Sequence, residues 1–183
     1  NAGVVAMRKR LLQLIGPDAY RIKIETFHSF CNDIIQQFAS EFSIRELSPV
    51  SDIESIEILR KMIDKLPLKH PLKRHGGGAY YDVPHLQNLF GIMKHENWLP
   101  EHIAEKIQEY ISEVENDASN TKYYYQKKYK QFNAGDRKPN EFEKLYKSMK
   151  QLKAATELYN IYNDKLKELG RYDFNDMILW VLK

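Results

Sequence analysis

The longest helical pattern in this chain runs from Pro139 to Gly170 and contains no internal proline or glycine. Apolar residues recur along it at helical spacing, which predicts one apolar face on an α-helix. These residues are Phe142, Leu145, Tyr146, Met149, Leu152, Tyr159, Tyr162, Leu166 and Leu169. At about 1.5 Å per residue the helix would reach about 45 Å. A helix of that length can link two parts of a fold.

The composition is that of an ordinary soluble protein, long enough for one sizeable core or for one domain plus part of another. Of the 183 residues, 43% are hydrophobic and 29% are charged, which argues against disorder. No apolar run approaches the roughly 18 residues needed to span a bilayer, so we expect no membrane partner. The net charge of +3 permits nucleic-acid binding without requiring it.

The cysteine content indicates the cellular compartment. Cys31 is the only cysteine, which excludes an internal disulfide and fits a reducing environment. The first residues show neither a signal peptide nor a transit peptide. We therefore expect a cytoplasmic protein.

Caps and helix breakers predict a mainly α fold with at most one short strand. Helical patterns cover residues 4–15, 29–42 and 53–66. Further helices can begin at Pro84, Pro100 and Pro139. Ser51 and Glu54 have the spacing of a capping box at the start of the third helix. The one short run typical of a strand is Ile22-Lys23-Ile24.

The turn between that strand and the second helix contains Thr26-Phe27-His28-Ser29. It presents two hydroxyls and an imidazole beside the backbone N–H groups of a helix start. Donors of this kind suit phosphate oxygens. Local chemistry alone favours a helix N-cap with a satisfied, buried histidine. Phe27 is expected to pack inside.

Three segments of the chain together resemble a known family. They are Asn1-Ala2-Gly3-Val4-Val5-Ala6-Met7-Arg8-Lys9-Arg10-Leu11, then Thr26-Phe27-His28-Ser29, then Tyr172-Asp173-Phe174-Asn175-Asp176-Met177-Ile178. In this order they resemble motor-core segments of UvrD/Rep-type superfamily 1 DNA helicases. Gly3, Val4 and Met177 are mild departures from the family's pattern.

The resemblance implies that the chain is a fragment of the first motor domain of such a helicase. In the family a helical insertion, called subdomain 1B, interrupts this RecA-like domain between the second and third segments. Residues 1–44 would then be a partial RecA-like motor domain, and residues 45–170 a multi-helix insertion subdomain. Residues 171–183 would be the return helix of the motor domain, with Asp173 as its N-cap.

The resemblance also implies that the parent is an ATP-dependent DNA helicase that moves 3′ to 5′ on single-stranded DNA with ATP and Mg²⁺. This chain has no Gly-x-x-x-x-Gly-Lys-Ser/Thr loop and no Asp-Glu pair after an apolar strand. We therefore expect no catalytic residues, no cofactor and no ATP turnover here. The expected partners are single-stranded DNA, single/double-strand junctions and the remaining motor domains. The chain is also similar to helicase subunits of AddAB/RecBCD-type helicase-nucleases.

The family assigns DNA contacts to residues of the first two segments. By resemblance, Thr26, His28 and Ser29 would hold the sugar-phosphate backbone of single-stranded DNA, and Asn1 would lie near it. These contacts would be insensitive to base identity.

A second candidate DNA surface is the segment of residues 122–130, which interleaves tyrosines with cations. Its lysines are Lys122, Lys127, Lys128 and Lys130. Aromatic rings can stack on unpaired bases while lysines neutralise phosphates. On a helix, Tyr125, Tyr129 and Phe132 would instead form a core stripe and leave the lysines solvated. Both interpretations stay open.

Other charged groups have simpler explanations. The loop with Lys69, Lys73 and Arg74 is either a duplex contact or a solvated connector. Asp173 and Asp176 fit a helix cap better than a metal or acid–base pair.

A metal or a thiol reaction is not indicated. The histidine spacings fit no common ligand motif, so we expect no metal site. No nearby residue clearly orients a Cys31–His28 pair.

A function of another class is a helical protein-interaction module that uses the Tyr-rich and Trp98-containing surfaces. An exposed apolar patch on the insertion would favour that alternative.

Overall fold

A computed structural model describes residues 2–38, 48–74 and 78–182. The helices are α1 (Ala2–Ile15), α2 (Phe27–Gln37), α3 (Asp52–Lys65), α4 (Val83–His95), α5 (Pro100–Asn116), α6 (Pro139–Glu168) and α7 (Phe174–Leu182). A 3₁₀ helix covers Gly16–Arg21, and the strands are β1 (Ser48–Pro49) and β2 (Arg171–Tyr172). The predicted mainly α fold is confirmed. None of the described helices is both long and apolar enough to cross a membrane.

The short strands lie elsewhere than predicted. Ile22-Lys23-Ile24 has no regular secondary structure, so the strand predicted there is wrong. Instead, β1 and β2 pair in a sheet of two strands, one more than the predicted maximum. A strand exists only where a partner completes its hydrogen-bond ladder. A three-residue apolar alternation cannot show whether such a partner is near.

The chain divides into two compact units, Val50–Arg171 on one side and Asn1–Pro49 with Tyr172–Lys183 on the other. We refer to them as the helical unit and the terminal unit. The predicted identities, motor-domain pieces at residues 1–44 and 171–183 and an insertion subdomain at 45–170, stay predictions. The predicted end of the second helix at residue 42 lies outside the described residues.

The helical unit is built around the long helix predicted from the sequence. Helix α6 begins at Pro139 and has 30 residues, which gives about 45 Å. Gly170, at φ 64°, follows its end in the left-handed conformation that glycine adopts without a steric penalty. The predicted start and stop signals are therefore confirmed.

The main core of the helical unit lies between α6 and helices α3, α4 and α5. Its fully buried residues include Leu59, Ile63, Leu86, Phe90, Met93 and Leu166. The Phe90 ring packs 5.6 Å from the Tyr159 ring and 5.2 Å from the Tyr162 ring, measured between centroids. The Tyr162 hydroxyl is 3.0 Å from the Ser55 hydroxyl, so its polar end is paired inside the core.

A smaller core of this unit lies at the start of α6. It contains Val114, Tyr123, Tyr124, Phe142 and Leu145. The Tyr124 hydroxyl donates to the Glu115 carbonyl oxygen at 2.6 Å. The start of α6 is thus fixed to the end of α5 and to the loop that follows α5.

The predicted capping box at the start of α3 is confirmed. The backbone N–H of Glu54 donates to the Ser51 hydroxyl oxygen at 3.2 Å, and the backbone N–H of Ser51 donates to a Glu54 carboxylate oxygen at 2.9 Å. Arg171 also donates to the Glu54 carboxylate at 3.1 Å. Hydrogen bonds from the Ser51 backbone, the Ser51 hydroxyl and Arg171, in that order of importance, lower the Glu54 pKa.

Replacing the cap serine is expected to destabilise the helical unit. Ser51→Ala removes the acceptor of an orphan N–H, and the expected loss in the free energy of unfolding is about 1 kcal/mol. Urea denaturation followed by circular dichroism measures it. Ser148→Ala is the matched control, because Ser148 is exposed inside α6, where alanine is the better helix former. Equal effects of the two substitutions would contradict the role of the cap.

In the terminal unit, α2 packs on α7 around Cys31, Ile35 and Met177. Asp173 caps α7, since its carboxylate accepts the backbone N–H groups of Asn175 at 2.9 Å and of Asp176 at 3.1 Å. The predicted cap at Asp173 is therefore confirmed. The Asp176 carboxylate in turn accepts the backbone N–H of Asp173 at 3.0 Å, so both carboxylates take part in the cap of α7.

Helix α1 leaves its apolar side open. No residue of α1 is buried, and Met7 and Leu14 are 61% and 73% exposed. The helix is held to the following 3₁₀ segment by Arg8, which donates to the carbonyl oxygens of Ala19 at 2.7 Å and Ile22 at 3.2 Å. Part of the basic side of α1 is thus used inside the terminal unit.

Candidate nucleic-acid interface

Thr26 is the N-cap of α2, and its hydroxyl is already engaged. Its backbone is extended, at φ −84° and ψ 159°, and its Oγ1 accepts the backbone N–H of Ser29 at 3.2 Å. The Ser29 hydroxyl lies 3.1 Å from the same Oγ1. The capping interpretation of this turn is therefore correct. Each hydroxyl still has lone pairs and a rotatable proton at an exposed position.

His28 is exposed rather than buried. Its ring meets the Phe174 ring edge-on, with 5.5 Å between centroids and an interplanar angle of 87°. One side of the imidazole is thus supported by α7. The buried-histidine alternative is wrong, and the ring nitrogens are available to solvent or to a ligand.

The sequence predicted that Phe27 packs inside, and this prediction is wrong. Its side chain is 82% exposed, the highest value among the exposed large hydrophobic residues of the described chain. Because Phe27 is the first residue of α2, its side chain leaves the helix before the face that packs on α7 begins. Two exposed rings, those of Phe27 and His28, therefore lie between Thr26 and Ser29 in the chain.

The first turn of α2 also supplies backbone donors. The first N–H groups of a helix have no carbonyl acceptor one turn earlier. Thr26 Oγ1 takes the N–H of Ser29, and the Thr26 carbonyl takes the N–H of Phe30. The N–H groups of Phe27 and His28 remain at the positive end of the helix dipole. The turn is therefore suited to an anion.

The lysine-rich segment is not a helix, which corrects the core-stripe alternative. Residues 124–137 form a small hairpin closed by bridges between Tyr124 and Arg137 and between Tyr129 and Phe132. We call it the aromatic hairpin. Three of its rings stack on each other, with centroids 5.8 Å apart for Tyr125 and Tyr129 and 4.8 Å apart for Tyr125 and Phe132. The stripe thus forms a local stack instead of a helix face.

The four predicted lysines all lie on or beside this hairpin and are exposed. Within the part of the chain that the structure describes, Lys127 and Lys128 take part in no ion pair. The Nζ atoms of Lys122 and Lys130 lie 4.9 Å and 5.3 Å from the ring centroids of Tyr123 and Tyr129. The segment is therefore a cationic surface with aromatic groups, as the first interpretation required.

Lys122 and Tyr123 influence each other's protonation. The hydrogen bond to the Tyr123 oxygen raises the pKa of Lys122, so this cation stays charged. Burial acts to raise the pKa of Tyr123, but hydrogen bonds from Tyr110 and Lys122 outweigh it, and the pKa of Tyr123 is lowered.

Sequence reasoning missed one cation of this surface. Lys138 lies with its Nζ 5.6 Å from the centroid of the Tyr125 ring, and it donates to the Thr121 carbonyl at 2.8 Å. Only the closure of the hairpin brings Lys138 next to Tyr125. The sequence carries no local signal for that pairing.

The basic loop before α4 is a connector with internal partners. Lys73 Nζ donates to the carbonyl oxygens of Ile63 at 3.0 Å and Asp64 at 2.9 Å, near the end of α3. Arg74 makes a bidentate pair with Asp82 at 2.8 and 2.9 Å and lies over the Tyr81 ring. Lys69 is exposed. The structure therefore favours the solvated-connector alternative for Lys73 and Arg74.

The remaining candidates are placed as follows. Asn1 lies outside the described residues. Cys31 is buried against Ile35 and Met177, away from solvent. Among the described residues no group of three or more His, Cys, Asp or Glu could hold a metal ion. Thr26, His28 and Ser29 share one turn of the terminal unit, whereas the four lysines belong to the helical unit.

Comparison with known proteins identifies the family. The family model described as the UvrD/REP helicase N-terminal domain matches residues 1–183. No curated protein and no solved structure matches the chain. Since the family model covers the whole chain, the chain belongs to the UvrD/REP helicase N-terminal domain family.

Proposed function

We propose that this chain supplies DNA-contacting surface to an ATP-dependent DNA helicase that moves 3′ to 5′ along single-stranded DNA. The observation that carries the proposal is the exposed turn of Thr26, His28 and Ser29 at the start of α2. It combines two hydroxyls, an imidazole and two backbone N–H groups in the first turn of one helix, where the helix dipole is positive. Such donors hold phosphates without reading bases.

The aromatic hairpin provides a second contact with unpaired DNA or with a single/double-strand junction. Its lysines neutralise phosphates, and each neutralised phosphate releases counterions. The resulting binding is tolerant of sequence and sensitive to salt. The two surfaces belong to different units, and each can be tested separately.

A nucleoside triphosphate does not fit the residues of this chain. The sequence contains no phosphate-binding loop, and Gly78 is followed by a turn at Ala79, Tyr80 and Tyr81 instead of a Lys and a hydroxyl at a helix start. In our proposal ATP and Mg²⁺ are bound by other motor parts. The exposed apolar residues Met7 and Leu14 of α1 and Leu182 of α7 offer surface for packing against those parts. A cytoplasmic location completes the proposal, since it keeps the thiol of Cys31 reduced.

One observation favours a protein-interaction module as a second candidate. An apolar groove of about 560 Å³ lies between α3 and α6 and is lined by residues that include Ile58, Met62, Leu66 and Ile161. A groove of this size and character can take an apolar side chain of a partner. If the chain did not bind single-stranded DNA at low salt, protein binding at this groove would become the proposed function.

Removing the donors of the α2 turn is expected to weaken DNA binding. In the double variant Thr26→Ala with His28→Phe, the hydroxyl and the ring N–H are lost, while an aromatic ring remains against Phe174. Loss of two hydrogen bonds to a charged group should reduce affinity at least about tenfold. Fluorescence anisotropy with a labelled single strand at low salt measures it.

Thr26→Ser is the matched control, because serine keeps both the cap and the hydroxyl. Its affinity should stay within about twofold of the unsubstituted chain. Circular dichroism shows whether both variants are folded. Unchanged affinity in a folded double variant would remove this turn from the DNA interface.

A further inference from the structure

The aromatic hairpin contains an open cleft of about 360 Å³ that the family assignment does not explain. Its lining includes Tyr124, Tyr125, Gln126, Lys127, Tyr129 and Lys138. The volume lies at the small end of the range of about 300–1,000 Å³ found for pockets that bind small molecules. The cleft therefore suits a single planar group rather than a long ligand.

Tyr129 offers that group a ring face. The residue is 54% exposed, so much of its side chain reaches solvent. Tyr125 lies nearly parallel to it, at an interplanar angle of 15°, and Phe132 is parallel to Tyr125 within 13°. The Tyr129 ring is thus supported by Tyr125, which itself stacks with Phe132. A ligand that stacks on it does not have to order it first.

Backbone hydrogen bonds fix the hairpin that carries these rings. Tyr129 and Phe132 exchange both of their N–H···O bonds at 2.9 Å, and the N–H of Gly135 donates to the Tyr125 carbonyl at 2.7 Å. Lys130, at the tip, has φ 53°, a conformation that non-glycine residues adopt at a cost. The turn keeps this strained backbone conformation, and in it the amine of Lys130 lies next to the Tyr129 ring.

The cations around the cleft indicate that the planar group carries phosphate. Lys127 and Lys138 line the cleft, and the Nζ of Lys130 lies 5.3 Å from the centroid of the Tyr129 ring. An exposed cation–π contact is weak, and the lysine stem is flexible. A base can therefore take the ring face of Tyr129 while Lys130 moves to the adjoining phosphate.

We propose that this cleft binds one unpaired nucleobase, stacked on Tyr129, with the flanking phosphates held by Lys127, Lys130 and Lys138. The inference rests on the proposed function, because it assumes that single-stranded DNA reaches the hairpin. It adds that the helical unit contacts a base and not only the backbone. Stacking of this kind accepts any base, since every base has a π-face.

The test compares a short labelled oligothymidylate with an abasic strand of the same length and charge. The unsubstituted chain and Tyr129→Phe, which keeps the ring, should both bind the base-bearing strand about tenfold more tightly. In Tyr129→Leu this preference should disappear while affinity for the abasic strand is unchanged. Equal preference in the Phe and Leu variants would overturn the inference.

A second measurement does not depend on the leucine variant folding. In Tyr129→Trp, the base-bearing strand should quench the added indole fluorescence, after subtraction of the signal of the unsubstituted chain, and the abasic strand should not. Salt-sensitive binding that is equal for both strands would refute the cleft and leave the proposed function intact. No binding of either strand at low salt would refute both.

Discussion

Phe90→Ala is expected to lower the free energy of unfolding of the helical unit by about 3–5 kcal/mol. Phe90 is 2% exposed, and its ring packs against Tyr159 and Tyr162 of α6. Alanine removes the ring from a site that two large neighbouring rings cannot refill, so both transfer energy and packing contacts are lost. The free energy of unfolding of a domain is only about 5–15 kcal/mol, so this one substitution removes a large part of it. Urea denaturation followed by circular dichroism measures the loss.

Phe27→Ala is the matched control, since it removes the same atoms from a side chain that is 82% exposed. Its effect on stability should stay within about 0.5 kcal/mol. If Phe90→Ala were as mild as Phe27→Ala, the packing of α4 on α6 would be wrong. Phe90→Leu should fall between the two variants, because leucine fills part of the site.

Local chemistry explains the parts of the fold that the sequence predicted correctly. The start of α6 at Pro139, the capping box of Ser51 and Glu54, and the cap of Asp173 each depend on residues within a few positions of each other. The donors and acceptors of such a motif lie on the same short segment. The sequence therefore contains the whole interaction.

The elements that the sequence did not predict depend on pairing between separate segments of the chain. The aromatic hairpin exists because Tyr124 pairs with Arg137 and Gly135 with Tyr125. Tyr125, Tyr129 and Phe132 have helical spacing, and yet their segment forms this hairpin. Periodicity alone does not distinguish the two when the segment is short. The positions of β1 and β2 depend on pairing across more than a hundred residues for the same reason.

The exposure of the candidate DNA-contacting residues could not be predicted from the sequence. Thr26, His28 and Ser29 lie in one turn because they are neighbours in the sequence. His28 is exposed, although one alternative had it buried, and Phe27 is exposed, although we expected it to pack inside. The sequence shows that a residue is apolar or polar. Whether it is covered depends on which face of α2 meets α7, and this is a property of the packed unit.

Replacing the four lysines on or beside the hairpin is expected to lower the salt dependence of DNA binding. In a variant with Lys122, Lys127, Lys128 and Lys130 changed to Gln, four potential phosphate contacts are lost. Each contact contributes about 0.7 to the slope of log affinity against log salt for single strands, so the slope should fall by about 2.8. Between about 50 mM and 200 mM salt, the unsubstituted chain should lose about 50-fold more affinity than the variant. Anisotropy titrations of a labelled single strand measure both slopes.

The matched control removes the same number of positive charges from the helices of the same unit. In it, Lys61, Lys65, Lys150 and Lys153 are replaced with Gln. These lysines are exposed on α3 and α6. Counterion release depends on cations that contact phosphate, whereas a general attraction to a basic protein depends on net charge. If the hairpin is the contact surface, the control slope stays close to that of the unsubstituted chain. If both variants lose the same slope, the attraction is a property of net charge and the hairpin holds no phosphate.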